Sequence, residues 1–164
     1  MNKQIKVSNE MQLKNRILSG GYFLATYHNP VNKSEFTVDL NDDLFAEMVL
    51  DSVLMAMPSL DDSLVITPAM GCYFGSKEPS FMLSFLDDIS IEDQMKLIDV
   101  LIKLFKKLGQ ESFIYRTKTE KHLMIGSNGK IMMQGSDITF GDFNTDFQGG
   151  WTEINGVKFT MDFK

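Results

Sequence analysis

The chain has 164 residues, 43% hydrophobic and 23% charged, which suits one globular domain (1–164) whose core can stand without disulfides. Its 16 Lys and Arg against 22 Asp and Glu leave a net charge of -6, which disfavours a non-specific grip on nucleic acid or anionic lipid and is too mixed to imitate DNA. A single cysteine, Cys72, excludes an internal disulfide framework, and two widely separated histidines exclude the usual zinc spacings, so neither metal nor cofactor is expected.

Residues 1–20 are polar and helical in character. Met11, Leu13, Ile17 and Leu18 fall at roughly helical spacing after Ser8, and Gly20-Gly21 ends the pattern, which predicts an N-terminal helix. This segment lacks the apolar stretch of a signal peptide, and no apolar run approaches membrane-spanning length. A reducing cytoplasm is the expected compartment.

Tyr22 to Tyr27 reads as a core strand, stopped by His28-Asn29-Pro30. Asn41, Asp42 and Asp43 supply a cap and helix-start charge for a second helix from Leu44 to Met57, ended by Pro58. Three strands follow, at Leu64–Thr67, Gly71–Phe74 and Ser80–Leu86, with Pro68 and the Gly75–Pro79 segment as breaks, and two of them should form a hairpin. Ser90 with Asp93 three residues on has capping-box spacing before Met95, Ile98, Leu101, Ile102, Phe105 and Leu108. Acids at its start, lysines at its end and Gly109 just beyond make this the best-marked helix. Ser112–Arg116 is the next strand. The remainder reads as two hairpins, His122–Ile125 with Lys130–Met133 and Trp151–Ile154 with Val157–Phe163, the second turning at Asn155-Gly156.

From residue 22 to 116 the order is strand, helix, strand, strand, helix, strand. That predicts an α+β fold with a ferredoxin-like split β-α-β arrangement on an antiparallel or mixed sheet, preceded by the N-terminal helix and followed by a β-hairpin extension over 117–164.

Two groups of residues are candidates for function. Glu78 and Pro79 open a strand just after a bend, while His28-Asn29-Pro30 closes the first strand and Gln110-Glu111 joins the last helix to its strand. If these strand ends meet, Tyr27, His28, Asn29, Glu78, Ser80 and Gln110 form a polar cluster able to hydrogen-bond a small, nucleotide-like molecule, with His28 titrating near neutrality. The plainer reading is that Glu78 is a solvated loop carboxylate and that Asn29 and Gln110 cap a turn and a helix end. The second group is the aromatic and acidic run from Phe140 to Trp151, where Phe143, Phe147 and Trp151 offer contact area and the acids offer selectivity for a basic protein partner. Its alternative is that these rings cover the domain's own sheet. Cys72 sits in an apolar strand and reads as structural, and Gly126–Lys130 lacks the glycine spacing of a phosphate loop.

The stretches Thr26-Tyr27-His28-Asn29-Pro30, Glu78-Pro79-Ser80-Phe81 and Leu108-Gly109-Gln110-Glu111-Ser112-Phe113 resemble an uncharacterised family of small bacterial and tailed-phage proteins, over about residues 22–116. In composition and abundance of hairpin turns the chain also looks like small accessory proteins of T4-type phages. The first resemblance implies that those positions belong together and carries no activity with it. Small size, mild acidity, the lack of a catalytic motif and the aromatic-acidic tail lead to the expectation of a non-enzymatic, phage-type protein that binds and modulates a host protein in the host cytoplasm. A small-molecule binding domain or small enzyme built on the polar cluster is the alternative.

Overall fold

The computed structural model describes residues 2–26, 42–73, 75–85, 89–107, 110–147 and 149–163. In chain order these form α1 (Asn2–Ser19), β1 (Tyr22–Thr26), α2 (Asp42–Ala56), β2 (Leu64–Tyr73), β3 (Ser76–Phe85), α3 (Ile91–Lys107), β4 (Ser112–Arg116), β5 (His122–Gly126), β6 (Ile131–Gly135), β7 (Ile138–Phe140), β8 (Gly150–Ile154) and β9 (Val157–Met161). The protein is therefore α+β. All described strand pairings are antiparallel, and the strands lie in the order β6-β5-β4-β1-β3-β2-β8-β9-β7.

Strand alternation separates two cores. Phe23 and Ala25 of β1, with Phe81, Leu83, Phe113 and Tyr115, face Val49 and Val53 of α2 and Leu97, Leu101 and Phe105 of α3. Tyr22 and Leu24, with Met82 and Ile114, face the other way, where Ile17 of α1 and Ile154, Val157 and Phe159 of the β8–β9 hairpin cover them. Aromatic packing joins sheet and helix on the first side, with the Phe105 ring centroid 5.3 Å from Phe113 and 6.0 Å from Phe81. The predicted start of α3 has its cap, because the Asp93 N–H donates to Ser90 Oγ at 3.1 Å.

Two prolines predicted to break strands lie inside them. Pro68 pairs with Phe81 in the middle of β2, and Pro79 pairs with Met70 within β3. Each sits where its strand has only one neighbour, since β2 meets β8 only from Met70 onward and β3 meets β1 only from Ser80 onward. A missing N–H costs a strand little on an unpaired side. The segments expected as separate strands at 64–67 and 71–74 are accordingly one ten-residue strand.

The C-terminal strands do not form a separate layer. The β5–β6 hairpin extends the sheet beyond β4, the β8–β9 hairpin extends it beyond β2, and the unpredicted three-residue β7 ends that side. Yet β6 and β7, at opposite ends of the strand order, are linked by residues 136 and 137 alone, so the sheet curls and brings the Gly135 end of β6 beside Asp162, just after β9. The Asp162 N–H donates to the Asp137 carbonyl, which continues the β7–β9 pairing by one residue. The Asn155-Gly156 turn follows the predicted chemistry, with φ of 48° and 84°, while the Gly126 N–H closes the 126–130 turn on the Lys130 carbonyl. Among the methionines, Met57 and Met82 are buried, whereas Met11, Met55, Met95, Met132 and Met133 are exposed.

Candidate functional site

The concave face of the curled sheet carries three tiers of side chains, set by register. At one end Tyr22 of β1 stands beside Ser84 and Arg116, and Arg116 beside His122. In the middle Leu24, Met82, Ile114 and Met124 form an apolar tier. At the other end are Thr26, Ser80 and Ser112. Polar residues thus flank an apolar floor.

The end at Thr26 opens into a cleft of about 400 Å³, lined by Leu24, Ile114 and Met124 below and by Thr26, Ser80, Gln110, Ser112 and Thr152 around it, with Glu78 and Glu111 also on its wall. Gly71 lies in register between Glu78 of β3 and Thr152 of β8, so no side chain intervenes between those two strands at that level. Gln110 enters from the link between α3 and β4, where its own N–H donates to the Phe105 carbonyl and closes the end of the helix. The residue is 5% exposed, and its Oε1 accepts from the Thr26 hydroxyl at 2.5 Å. Nε2 is buried without a hydrogen-bond partner among the described residues. Ser80 is likewise buried, its hydroxyl donating to the Glu78 carbonyl at 2.9 Å.

Of the predicted polar cluster, Glu78, Ser80 and Gln110 meet at this cleft. Tyr27, His28 and Asn29 lie outside the described residues, directly after Thr26. The predicted cluster left out Thr26, Ser112 and Thr152, of which the first two stand in the resembling stretches. The signal for Thr26 was its period-two spacing from Leu24, which puts it on the same face at the strand end; Thr152 had none, because its approach depends on β8 joining β2.

The opposite end of the face is closed. Arg116, 2% exposed, donates from Nε to the Leu18 carbonyl at 3.0 Å and from one terminal nitrogen to the Ser136 carbonyl at 3.2 Å and to His122 Nδ1 at 2.8 Å. His122 in turn donates from Nε2 to the Asp162 carbonyl at 2.6 Å, which assigns its proton to that nitrogen. Burial holds the His122 pKa below its ordinary value, with the Arg116 charge acting in the same direction against the bond to Asp162. Burial also lowers the Arg116 pKa and raises that of Tyr22, whose hydroxyl donates to the Ile17 carbonyl at 2.6 Å. Gly135 makes the junction possible, since a Cβ there would fall 1.8 Å from the Asp162 oxygen and 2.8 Å from His122 Nε2.

The aromatic tail is placed differently from its role as an exposed anchor. Trp151 is 3% exposed, and its Nε1–H donates to the Asn144 carbonyl at 3.0 Å. Burial of the ring within the protein's own packing corrects its assignment to a partner surface. Phe143 and Phe147 pack edge to face, 4.8 Å between centroids, and only Phe147, at 40%, is substantially exposed. No family model matches the chain, and no curated protein matches its sequence.

Proposed function

We propose that the protein is a binding module for a small polar molecule, seated in the cleft at the ends of β1, β3 and β4. The observation that carries this reading is the Gln110 side chain: a buried amide whose Nε2 has no partner among the described residues, on the wall of a cavity. An unmatched buried donor costs a folded protein about 1–3 kcal/mol, and a ligand acceptor removes that cost. Binding is favoured over turnover because the Thr26 and Ser80 hydroxyls give their protons to an amide oxygen and a backbone carbonyl, which activates neither as a nucleophile. The β1-α2-β2-β3-α3-β4 unit is read as ferredoxin-like, supported by the order β4-β1-β3-β2 and by the two helices sharing one face.

The test is a screen of neutral polar fragments by amide-correlation NMR. Shifts should cluster at Thr26, Ser80, Gln110, Ser112 and Thr152. A library that perturbs none of them removes the reading.

A second reading, a cytoplasmic phage-type protein that modulates a host protein, is favoured by Ile131, Met132 and Met133, which are 57%, 57% and 40% exposed on the terminal strand β6. Exposed apolar side chains on a sheet margin suit strand addition by a partner. Met132→Lys should then abolish capture of a single stoichiometric host protein that the parent retains; capture unaffected by the change would remove β6 as the interface.

A further inference from the structure

We propose that the cleft recognises an uncharged ligand through a cis-amide edge, a carbonyl oxygen beside an N–H, paired with the side-chain amide of Gln110. The inference rests on the cleft-binding reading above and names the chemistry of its ligand.

A carboxamide offers two N–H donors and an oxygen with two lone pairs. In this protein Thr26 occupies one lone pair of Gln110 Oε1, and Nε2 has no partner among the described residues. What remains on Gln110 is one acceptor site and the amide hydrogens, a donor and an acceptor on neighbouring atoms. The complementary group presents an acceptor and a donor at the same separation, and a cis amide does so, closing a ring of two hydrogen bonds. Pyrimidine and purine lactams carry this edge, as do primary carboxamides. An ordinary trans peptide group does not, because its C=O and N–H point in opposite directions.

Charge narrows the choice further. Glu78 and Glu111 stand on the cleft wall, and no Lys, Arg or His is among the described lining residues. A neutral ligand is favoured because an anion would find no cationic side chain among these described lining residues. Leu24, Ile114 and Met124 provide an apolar floor against which a flat ring can lie, and about 400 Å³ falls within the range of small-molecule sites.

The experiment titrates isotope-labelled protein with uracil, nicotinamide, 1,3-dimethyluracil and orotate, following the side-chain amide signals of Gln110. Uracil or nicotinamide should shift these signals. Uracil alone assigns a lactam and nicotinamide alone a carboxamide, and either supports the proposal. Dimethyluracil keeps both carbonyls but has no N–H, and orotate adds a carboxylate, so each should bind about tenfold more weakly than uracil or worse. Equal binding by dimethyluracil, tighter binding by orotate, or cleft binding by other neutral fragments but by neither uracil nor nicotinamide overturns the amide-edge inference and leaves the cleft as a binding site. No response from any neutral fragment overturns both. Gln110→Met should weaken binding of the parent's ligand at least about tenfold, and retained affinity also overturns the proposal. Should that variant not fold, the comparison of uracil with dimethyluracil in the parent decides alone.

Discussion

The two ends of the concave face are built from the same strands, two register steps apart, and treat buried polarity in opposite ways. At the closed end the guanidinium of Arg116 is matched by two carbonyls and a ring nitrogen, and His122 is matched on both nitrogens. At the open end Gln110 is matched, among the described residues, only on its oxygen. The closed end ties α1, β4, β5, the β6–β7 link and the C-terminal residues together, so its polarity is structural. The contrast teaches that burial of a polar group does not mark a site. Incomplete matching beside a cavity does, and Ser84 shows why both conditions are needed: its Oγ also lacks a partner among the described residues, but it lines no part of the cleft.

The largest expected effects come from the packing both ends share. Phe105→Ala removes a ring that is 1% exposed between α3 and the sheet, and should cost about 3–5 kcal/mol in a denaturant titration. A loss below about 1 kcal/mol would show that the helical face does not hold the sheet. Trp151→Ala should fall in the same range of about 3–5 kcal/mol, because the ring is buried under its own loop. An unchanged melting temperature would return Trp151 to the surface and reopen its role as an anchor.

Next is Arg116→Leu, which removes the donor from three acceptors at once. At about 1.5 kcal/mol or more for a bond to a charged group, tempered by the gain of an apolar side chain, a loss of about 3 kcal/mol is expected. A fully folded, equally stable variant would break the claim that the closed end is a structural clasp.

A smaller effect follows from His122. Its folded pKa lies below the ordinary value of 6.5, so between the two values the unfolded chain holds more protons than the folded one. The contribution is therefore fully present above about pH 6.5 and is lost as pH falls through that value toward the folded pKa. Protonation would set an N–H on Nδ1 against the Arg116 donor. Unfolding midpoints measured from pH 8 to 5 should drop in the parent and drop less in His122→Gln; parallel curves would remove His122 as the cause.

The helices and hairpins were legible because their signals are local. The Ser90 cap, the apolar stripe of α3 and the Asn155-Gly156 turn are each written within a few residues. The meeting of Glu78, Ser80 and Gln110 was legible only as strand ends that a split arrangement would bring near one another. What sequence did not convey was non-local. Pro68 and Pro79 look like breaks unless it is known that each faces an unpaired side of its strand. The burial of Trp151 depends on β8 pairing with β2, some 80 residues earlier in the chain. The clasp of Arg116 and His122 depends on the curl that brings Asp162 beside Gly135, and a lone Gly135 was its only trace.

The smallest predicted effect carries the comparison itself. Gln110→Met keeps the length of the side chain, loses the bond from Thr26 and removes an unmatched donor, two changes of opposite sign and each about 1 kcal/mol. Ser84→Ala likewise removes a hydroxyl with no partner among the described residues, at the cost of almost no packing. Both variants should lie within about 1 kcal/mol of the parent in stability. They should part company only when ligand is added. A ligand in the cleft satisfies Gln110 and raises the melting temperature of the parent and of Ser84→Ala by mass action, while leaving Gln110→Met unmoved. A loss of more than about 2 kcal/mol for Gln110→Met without ligand would mean that its amide is fully matched after all, and the open end would then be a second structural clasp.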